Sequence, residues 1–239
     1  AYENTYIPGT KIELKKSKIR GVESYGMLVS EREMGLSDEH EGIIEINKKY
    51  KVGDSFSEIY GLDDPIIEIN ITPNRPDCLS VRGIARDLAA AGIGNLKKLE
   101  IKKIKGIFHS HIKWQRKFKK DEKLCPGVSG RLFKNVKNVE SPDWLKKNLL
   151  AIGLRPISAL VDITNYITFD LGRPLHVYDA DKLEGNLSMR LATDGEKCKT
   201  LDEKEYILSN DIVVIADDIK LHGIGGVMGG LDSSCTKDT

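Results

Sequence analysis

Four polar residues with hydrogen-bonding side chains stand inside an otherwise apolar segment: Asp162, Thr164, Asn165 and Tyr166. The apolar residues around them recur at spacings of three and four, which predicts a helix with one buried face: Ile157, Leu160, Val161, Ile163, Ile167 and Leu171. Gly172 and Pro174 predict its end, because glycine adopts positive φ and proline cannot continue the hydrogen bonding. The polar side chains need partners from the protein, from water or from a ligand. Since His176 follows the predicted helix end, these groups could meet in one pocket.

A second segment with chemical potential is glycine-rich and follows a predicted strand at Ile212–Ala216. It reads GIGGVMGG, with glycines at Gly223, Gly225, Gly226, Gly229 and Gly230. Leu231 and Asp232 stand where a phosphate loop would carry Lys followed by Ser or Thr, so that class of site is not indicated. Backbone without Cβ atoms lets a ligand approach main-chain N–H groups closely. A tight crossing of two strands explains the glycines equally well.

Other interpretations of the same residues remain open. A histidine between apolar neighbours is often a satisfied structural residue, and Thr or Asn inside a helix often bonds only the backbone. A metal-dependent phosphoesterase would use Asp162, His176 and Asp179, which have suitable side chains but no recognised ligand spacing.

The composition is that of an ordinary globular protein. The 239 residues are 40% hydrophobic and 31% charged, with a formal net charge of +1. The scattered cysteines form no C-x-x-C pair, which favours neither a zinc site nor disulfides and is typical of a reducing compartment: Cys78, Cys125, Cys198 and Cys235. No signal peptide or membrane-length apolar run is present, so we expect a cytoplasmic location. Because the chain begins at Ala1 without Met, we expect it to be a piece of a longer protein.

The first part of the chain predicts short strands. Residues 11–30 alternate apolar and polar side chains, and further strands are predicted at Gly42–Ile46 and Ile66–Ile71. Several short strands in some seventy residues suggest a small barrel. A basic cluster on these strands is either a solvated face or a nucleic-acid contact; it consists of Lys15, Lys16, Lys18 and Arg20.

The middle of the chain predicts one helix and a basic stretch. The helix covers Val81–Ala91, with Asp77 or Ser80 as its N-cap. Residues 97–123 contain eleven Lys or Arg against three acids, interleaved with Phe108, Trp114 and Phe118. Such a stretch can bind a polynucleotide, but a charged linker with a strand or two explains it equally well, and we favour the linker.

The last part mixes helical and strand patterns, which predicts an α+β domain. A strand is predicted at Gly130–Val139, followed by a helix from Ser141 as N-cap, with Pro142 in its first turn, to Ile152. Three more strands are predicted near Leu187–Leu191, Tyr206–Leu208 and Ile212–Ala216.

Four stretches together resemble one family, the bacterial phenylalanyl-tRNA synthetase beta subunits. IRGVESYGMLVSEREMGL, residues 19–36, is similar to their tRNA-binding OB-type domain, and ITPNRPDCLSVRGIARDLAAA, residues 71–91, to their connecting segment. Residues 153–179 and 223–230 resemble their B3/B4 editing domain. The resemblance implies a multidomain chain: a truncated OB-type β-barrel at 1–65, a connecting segment at 66–123, and an α+β B3/B4-type domain at 124–239.

The resemblance also implies roles for particular residues. It places catalytic or orienting roles on His176 and Asn165, and substrate binding on Thr164, Gly229 and Gly230. It implies tRNA binding by the basic cluster, Lys15, Lys16, Lys18 and Arg20. The acidic residue that completes the family's pocket would fall beyond Thr239, and Gly127-Val128 stand where the family tends to carry an Arg.

The activity implied by the resemblance is hydrolysis of mischarged tyrosyl-tRNA(Phe) by a positioned water, within an alpha/beta phenylalanine-tRNA ligase. The implied partners are tRNA(Phe), the alpha subunit and tyrosine as editing ligand, with no membrane and no DNA. No metal or cofactor is implied for this segment, whereas ATP and Mg²⁺ serve the full synthetase. The alternative is a binding-only module that docks tRNA and holds the assembly together.

Overall fold

The computed structural model describes residues 1–46, 49–119 and 123–239, which form two compact units. The first unit is Ala1–Pro65 and the second is Ile66–Thr239. The second unit therefore contains both the predicted connecting segment and the predicted B3/B4-type domain. No helix among the described residues is long and apolar enough to cross a membrane.

The first unit is built from two small hairpins and one short helix. Strand β1 (Tyr6–Ile7) pairs with β2 (Ile12–Glu13), and β3 (Ser17–Ile19) pairs with β4 (Val22–Ser24), both antiparallel. The β3–β4 turn has two residues of positive φ, Arg20 at 51° and Gly21 at 87°, as the tightest hairpin turns require. Helix α1 covers Phe56–Tyr60.

Two predicted strands are absent from the structure. Residues 42–46 and 66–71 have no regular secondary structure, although both alternate apolar and polar side chains. Ile43, Ile66 and Ile67 are exposed, so neither segment has the packed face that the alternation indicated. A strand also needs a neighbouring backbone for its hydrogen bonds, which a sequence pattern does not supply. The described part of the first unit thus shows two hairpins and no closed barrel, and the OB-type barrel stays a prediction.

The helices of the second unit lie close to their predicted positions. A 3₁₀ turn at Pro76–Cys78 leads into α2 (Val81–Ala90), whose N-cap Ser80 accepts a hydrogen bond from the Gly83 N–H at 2.9 Å. Helix α4 covers Ala159–Leu171 and ends at Gly172, whose φ of 67° is the left-handed cap expected of glycine.

Helix α3 begins later than predicted, because Ser141 does not cap it. The helix covers Asp143–Ala151, with Pro142 before its first residue. The Ser141 hydroxyl donates instead to the buried carboxylate of Asp162 at 2.5 Å, which links the start of α3 to α4. A sequence pattern cannot show whether a serine hydroxyl will accept from a backbone N–H of the first helical turn or donate to a carboxylate elsewhere.

A five-stranded sheet forms the centre of the second unit. Its strands lie in the order β11-β10-β9-β6-β5, and only β5 is parallel to its neighbour; the strands are β5 (Trp114–Lys117), β6 (Leu187–Leu191), β9 (Val213–Ala216), β10 (Leu221–Ile224) and β11 (Met228–Gly229). A separate hairpin joins β7 (Glu196–Lys199) to β8 (Glu205–Leu208). One apolar core lies between these strands: Ala192, Cys198, Leu208, Val214, Ala216 and Leu221. The basic stretch thus contributes β5 to this sheet.

The strand predicted at Gly130–Val139 is wrong, since these residues have no ladder. Gly130 packs directly against the Trp114 indole, so the segment passes β5 by side-chain contact. Further along, Asn138 ties it to the last residues of the chain. The Asn138 backbone N–H donates to the Thr239 carbonyl at 3.2 Å, and its side-chain amide donates to the Thr236 carbonyl at 2.9 Å.

Candidate functional site

His176 and Gly229, which the sequence places in separate segments, lie in direct contact. His176 follows the end of α4, and Gly229 pairs with Gly223 where β11 meets β10. A Cβ atom on Gly229 would come within 2.9 Å of Nε2 of His176 and closer still to its Cε1. The imidazole therefore contacts this glycine through its Cε1 edge, and only a residue without a side chain can seat it there.

An aromatic side chain also contacts the imidazole. The Tyr178 ring meets His176 edge to face, with 4.4 Å between ring centroids. Part of His176 remains exposed to solvent, and burial of the rest lowers the pKa of its imidazole. A histidine with a lowered pKa is neutral near pH 7, so it can accept a proton or orient a water.

Thr164 and Asn165 lie on a helix that does not approach Gly229 on β11. Both residues are half-buried on α4, and that helix packs against α2 and α3 without a close approach to any described strand. The Thr164 hydroxyl donates to the Val161 carbonyl at 2.7 Å, within its own helix. The Asn165 side-chain amide has no hydrogen bond to the described residues. Unlike the Thr164 hydroxyl, it can therefore form its hydrogen bonds with a ligand.

Gly230 lies at a tight crossing of strands. Its N–H donates to the His222 carbonyl at 2.7 Å, and a Cβ atom there would stand 2.8 Å from the His222 backbone carbon. The N–H groups of Gly225 and Val227 also donate to carbonyls within the protein. These three N–H groups are therefore already used, although the sequence left the loop free to serve an oxyanion.

The metal-dependent alternative finds no support in the arrangement of its residues. Asp162 is fully buried and accepts hydrogen bonds from Ser141 and from the Ile157 N–H. Asp179, also buried, accepts from the Thr239 hydroxyl at 2.8 Å. Within residues 1–46, 49–119 and 123–239, one group alone has ligand atoms close enough to share a metal ion, and it does not include these aspartates or His176: Asp77, Cys78 and Asp87. Arg75 and Arg86 form ion pairs with its two carboxylates.

A buried His–Asp pair adjoins the glycine-rich segment, and the sequence pattern did not predict it. His222 on β10 and Asp217 in the turn before it are joined by a 2.6 Å hydrogen bond between Nε2 and Oδ2, and both side chains are wholly buried. Burial would raise the pKa of Asp217, but hydrogen bonds from three backbone N–H groups and from His222 more than compensate and hold it at about 2. The donors are the N–H groups of Glu184, Ile219 and Lys220. The available signal was a histidine in an otherwise apolar strand that follows an Asp-containing turn.

We expect Asp217→Asn to remove an acid-sensitive part of the stability. The folded-state pKa of about 2 lies below the ordinary 3.8, so the carboxylate stabilises the fold above about pH 4 and loses this effect as the pH falls towards 2. The variant should be less stable at neutral pH by about 1.5–3 kcal/mol, the value of hydrogen bonds to a charged group. Its free energy of unfolding should also fall less steeply in acid than that of the parent.

Denaturant unfolding at several pH values measures both effects. The matched control is Asp181→Asn, because Asp181 is an exposed aspartate in the same unit. Parallel curves for parent and Asp217→Asn between about pH 4 and pH 2 would contradict this account of Asp217.

The basic cluster lies on an exposed hairpin of the first unit. All four of its side chains are exposed: Lys15, Lys16, Lys18 and Arg20. The Lys16 ammonium pairs with Glu23 at 3.1 Å and lies 4.8 Å from the centroid of the Tyr25 ring. The hairpin thus carries cations beside an aromatic ring, which fits a solvated face and an RNA contact alike.

Comparison with known proteins gives a consistent result along the chain. Residues 124–239 match the family model described as the B3/4 domain. The beta subunit of phenylalanine-tRNA ligase from Mesorhizobium japonicum is 56% identical over 239 residues, covering 100% of this chain and 29% of that protein. The same subunit from Brucella abortus is 53% identical over 234 residues, and that from Paramagnetospirillum magneticum is 52% identical over 240.

The chain spans under a third of the length of these relatives, 29% for the first two and 30% for the third. A crystal structure of an N-terminal fragment of the phenylalanyl-tRNA synthetase beta subunit from Pyrococcus horikoshii aligns with 74% of this chain and 56% of its own. The sequence identity of that alignment is 20% and its TM-score is 0.36, too low to support an argument about the fold.

Proposed function

The resemblance to phenylalanine-tRNA ligase beta subunits is confirmed along the whole chain, with a B3/4 domain at 124–239, and from this premise we propose an editing function. In this proposal the chain is part of such a ligase and hydrolyses tyrosine wrongly esterified to tRNA(Phe). The alpha subunit supplies the synthetic site, and ATP and Mg²⁺ serve that site.

The observation that carries the proposal is the contact between His176 and Gly229. It joins the two segments that the resemblance assigns to one pocket, although about fifty residues separate them. A neutral imidazole, partly exposed and in contact with both Tyr178 and a glycine, is suited to orient an ester or a water. A histidine that served only to fill the core would not need an exposed edge.

A second pocket is needed because of the energetics of discrimination. A synthetic pocket shaped for phenylalanine rejects tyrosine weakly, since accommodating one hydroxyl gives only about 1–3 kcal/mol of discrimination. An editing pocket can instead require the hydroxyl, because phenylalanine would leave its buried polar groups without partners. We assign this task to Thr164 and Asn165, and the free amide of Asn165 is suited to it.

A positioned water is the nucleophile that best fits the described residues. Cys78 and Cys198 are buried, and burial raises the pKa of both thiols, which keeps them protonated and unreactive. In the described parts of the chain no Ser or Cys side chain forms a hydrogen bond to a histidine. A water beside His176 needs only orientation and a place for its proton.

The binding-only alternative is favoured by one observation, the separation of α4 from the strands. If Thr164 and Asn165 stay away from His176, the second unit would contribute docking and assembly without hydrolysis. For editing, α4 and the His176 segment must come together around the substrate.

Hydrolysis of two esters by the full ligase tests the proposal. Tyrosyl-tRNA(Phe) should be hydrolysed and phenylalanyl-tRNA(Phe) spared. In parallel, NMR titration of this chain with free tyrosine should shift the His176 and Asn165 signals, whereas phenylalanine should not. If the ligase hydrolyses neither ester, the binding-only function replaces editing. Equal hydrolysis of both esters would overturn the proposed selection for tyrosine.

We also propose that the β3–β4 hairpin contributes tRNA affinity, as part of a truncated OB-type domain. Neutralising its basic cluster together should weaken RNA binding and flatten its salt dependence by a slope of roughly 0.7–0.9 for each phosphate that the hairpin no longer neutralises. Binding assays at several salt concentrations measure this slope. The control replaces four exposed lysines of the second unit, Lys197, Lys199, Lys204 and Lys237. If the salt dependence of RNA binding is unchanged in the hairpin variant, the cluster is a solvated face.

A further inference from the structure

Tyr178 lies at the centre of a group of rings that includes His176. Its ring centroid is 4.4 Å from that of His176, 6.3 Å from that of His222 and 6.4 Å from that of Trp114. These three neighbours come from the loop after α4, from β10 and from β5. Tyr178 therefore connects the imidazole of the candidate site to two different strands of the sheet.

The side of this group away from His176 is rigid. His222 is wholly buried, and Asp217 holds its Nε2 while three backbone N–H groups hold Asp217. The backbone carbonyl of His222 also accepts the Gly230 N–H, next to the glycine that seats His176. His222 thus contacts both the ring behind His176 and the strand beneath it. Its Nδ1 is buried and has no partner within residues 1–46, 49–119 and 123–239, so among these residues the imidazole bonds Asp217 alone.

The ring of Tyr178, rather than its hydroxyl, makes these contacts. Among the described residues the hydroxyl has no hydrogen-bond partner, and the side chain is half-buried. An edge-to-face contact fixes the tilt of the partner ring, because the positive edge of one ring meets the negative face of the other. A flexible aliphatic side chain of similar size fills space but does not impose such a tilt.

We propose that Tyr178, supported by the buried His222–Asp217 pair, is a positioning residue that holds the His176 imidazole on Gly229. It touches neither ester nor water and acts only through His176. The inference rests on the proposed editing function for its catalytic consequence, while the ring arrangement itself can be tested without any substrate.

The first test is NMR of the 239-residue chain. In the parent, the Gly229 Hα protons should show nuclear Overhauser effects to the His176 ring, and the His176 ring should show them to Tyr178. Tyr178→Phe should keep all of these signals, whereas in Tyr178→Leu the Overhauser effects between Gly229 and His176 should disappear. The control is Tyr206→Leu, because Tyr206 lies on the outer hairpin and its hydroxyl bonds Asp202.

The second test is editing by the full ligase. Tyr178→Leu should lower hydrolysis of tyrosyl-tRNA(Phe) roughly tenfold to a hundredfold, because a misplaced catalytic group loses its alignment. Tyr178→Phe should hydrolyse the ester at the parent rate. Charging with phenylalanine should not change in either variant.

The possible outcomes distinguish the positioning role of Tyr178 from the proposed role of His176 in editing. If Tyr178→Leu keeps the Overhauser effects between Gly229 and His176, the positioning role is wrong whatever the editing rate. If that variant does not fold, the parent protein still tests the inference. The absence of Overhauser effects between Tyr178 and His176 in the parent would overturn it. A displaced imidazole with unchanged hydrolysis would instead uphold the positioning and overturn the proposed role of His176 in editing.

Discussion

Replacing His176 by alanine is expected to lower tyrosyl-tRNA(Phe) hydrolysis by the full ligase roughly a hundredfold or more. The loss corresponds to about 2.7–4 kcal/mol for one hydrogen bond to a charge that develops in the transition state. Charging of tRNA(Phe) with phenylalanine should stay near the parent rate, because the proposal places the synthetic site in the alpha subunit. Steady-state hydrolysis and charging assays on the same preparation measure both.

A matched control separates chemistry from folding. His109→Ala removes an exposed histidine of the same unit and should change neither rate. The melting temperature of His176→Ala should stay close to that of the parent, because a partly exposed ring contributes less to stability than a core side chain. If His176→Ala hydrolyses tyrosyl-tRNA at the parent rate, or loses charging and stability together, His176 is a structural residue.

Gly229→Ala is expected to reduce editing about as far as removal of the imidazole. The new Cβ would enter the space of the His176 ring, 2.9 Å from Nε2 and 3.1 Å from Nδ1, so the ring must leave its seat. Tyr178 also packs against the ring, with 4.4 Å between ring centroids, and restricts where the ring can go. We expect a destabilisation of about 1–3 kcal/mol, typical of added volume at a packed site, together with the loss of hydrolysis.

Gly94→Ala provides the comparison for this variant. A Cβ on Gly94 would meet no atom within 4 Å, so stability and hydrolysis should both stay at the parent level. Denaturant unfolding and the ester assay test the two glycines side by side. Parent-like hydrolysis by Gly229→Ala would show that the exact position of the imidazole does not matter for editing.

The sequence predicted those elements whose signals are local. The cap at Ser80, the left-handed end at Gly172 and strand Leu187–Leu191 depend on neighbouring residues, and the structure has them as predicted. Strands at 42–46 and 66–71 failed because alternation describes a face but not a partner. Ser141 failed for a related reason, since its acceptor Asp162 lies on another helix.

The residues of the candidate site also fall into two groups, those that sequence patterns identify and those that depend on tertiary packing. Residue type and spacing singled out His176 and the glycines, and their contact follows from how the strands pair. Tyr178 and the His222–Asp217 pair were not found, because an aromatic residue or a histidine in an apolar segment has the pattern of ordinary core. Their importance depends on which rings meet, and this is set by tertiary packing alone.

The parallel pairing of β5 with β6 has a consequence for the order of folding. Trp114 lies opposite Leu187, so the chain must close a loop of some seventy residues, including α3 and α4, before this pair can form. Loop-closure entropy delays such distant contacts, whereas α2 and the β7–β8 hairpin need only near neighbours in sequence. Since Trp114 is one of the rings around Tyr178, the support behind His176 is complete only once β5 has docked. We therefore expect the imidazole to acquire its final orientation late in folding, after most of the surrounding secondary structure exists.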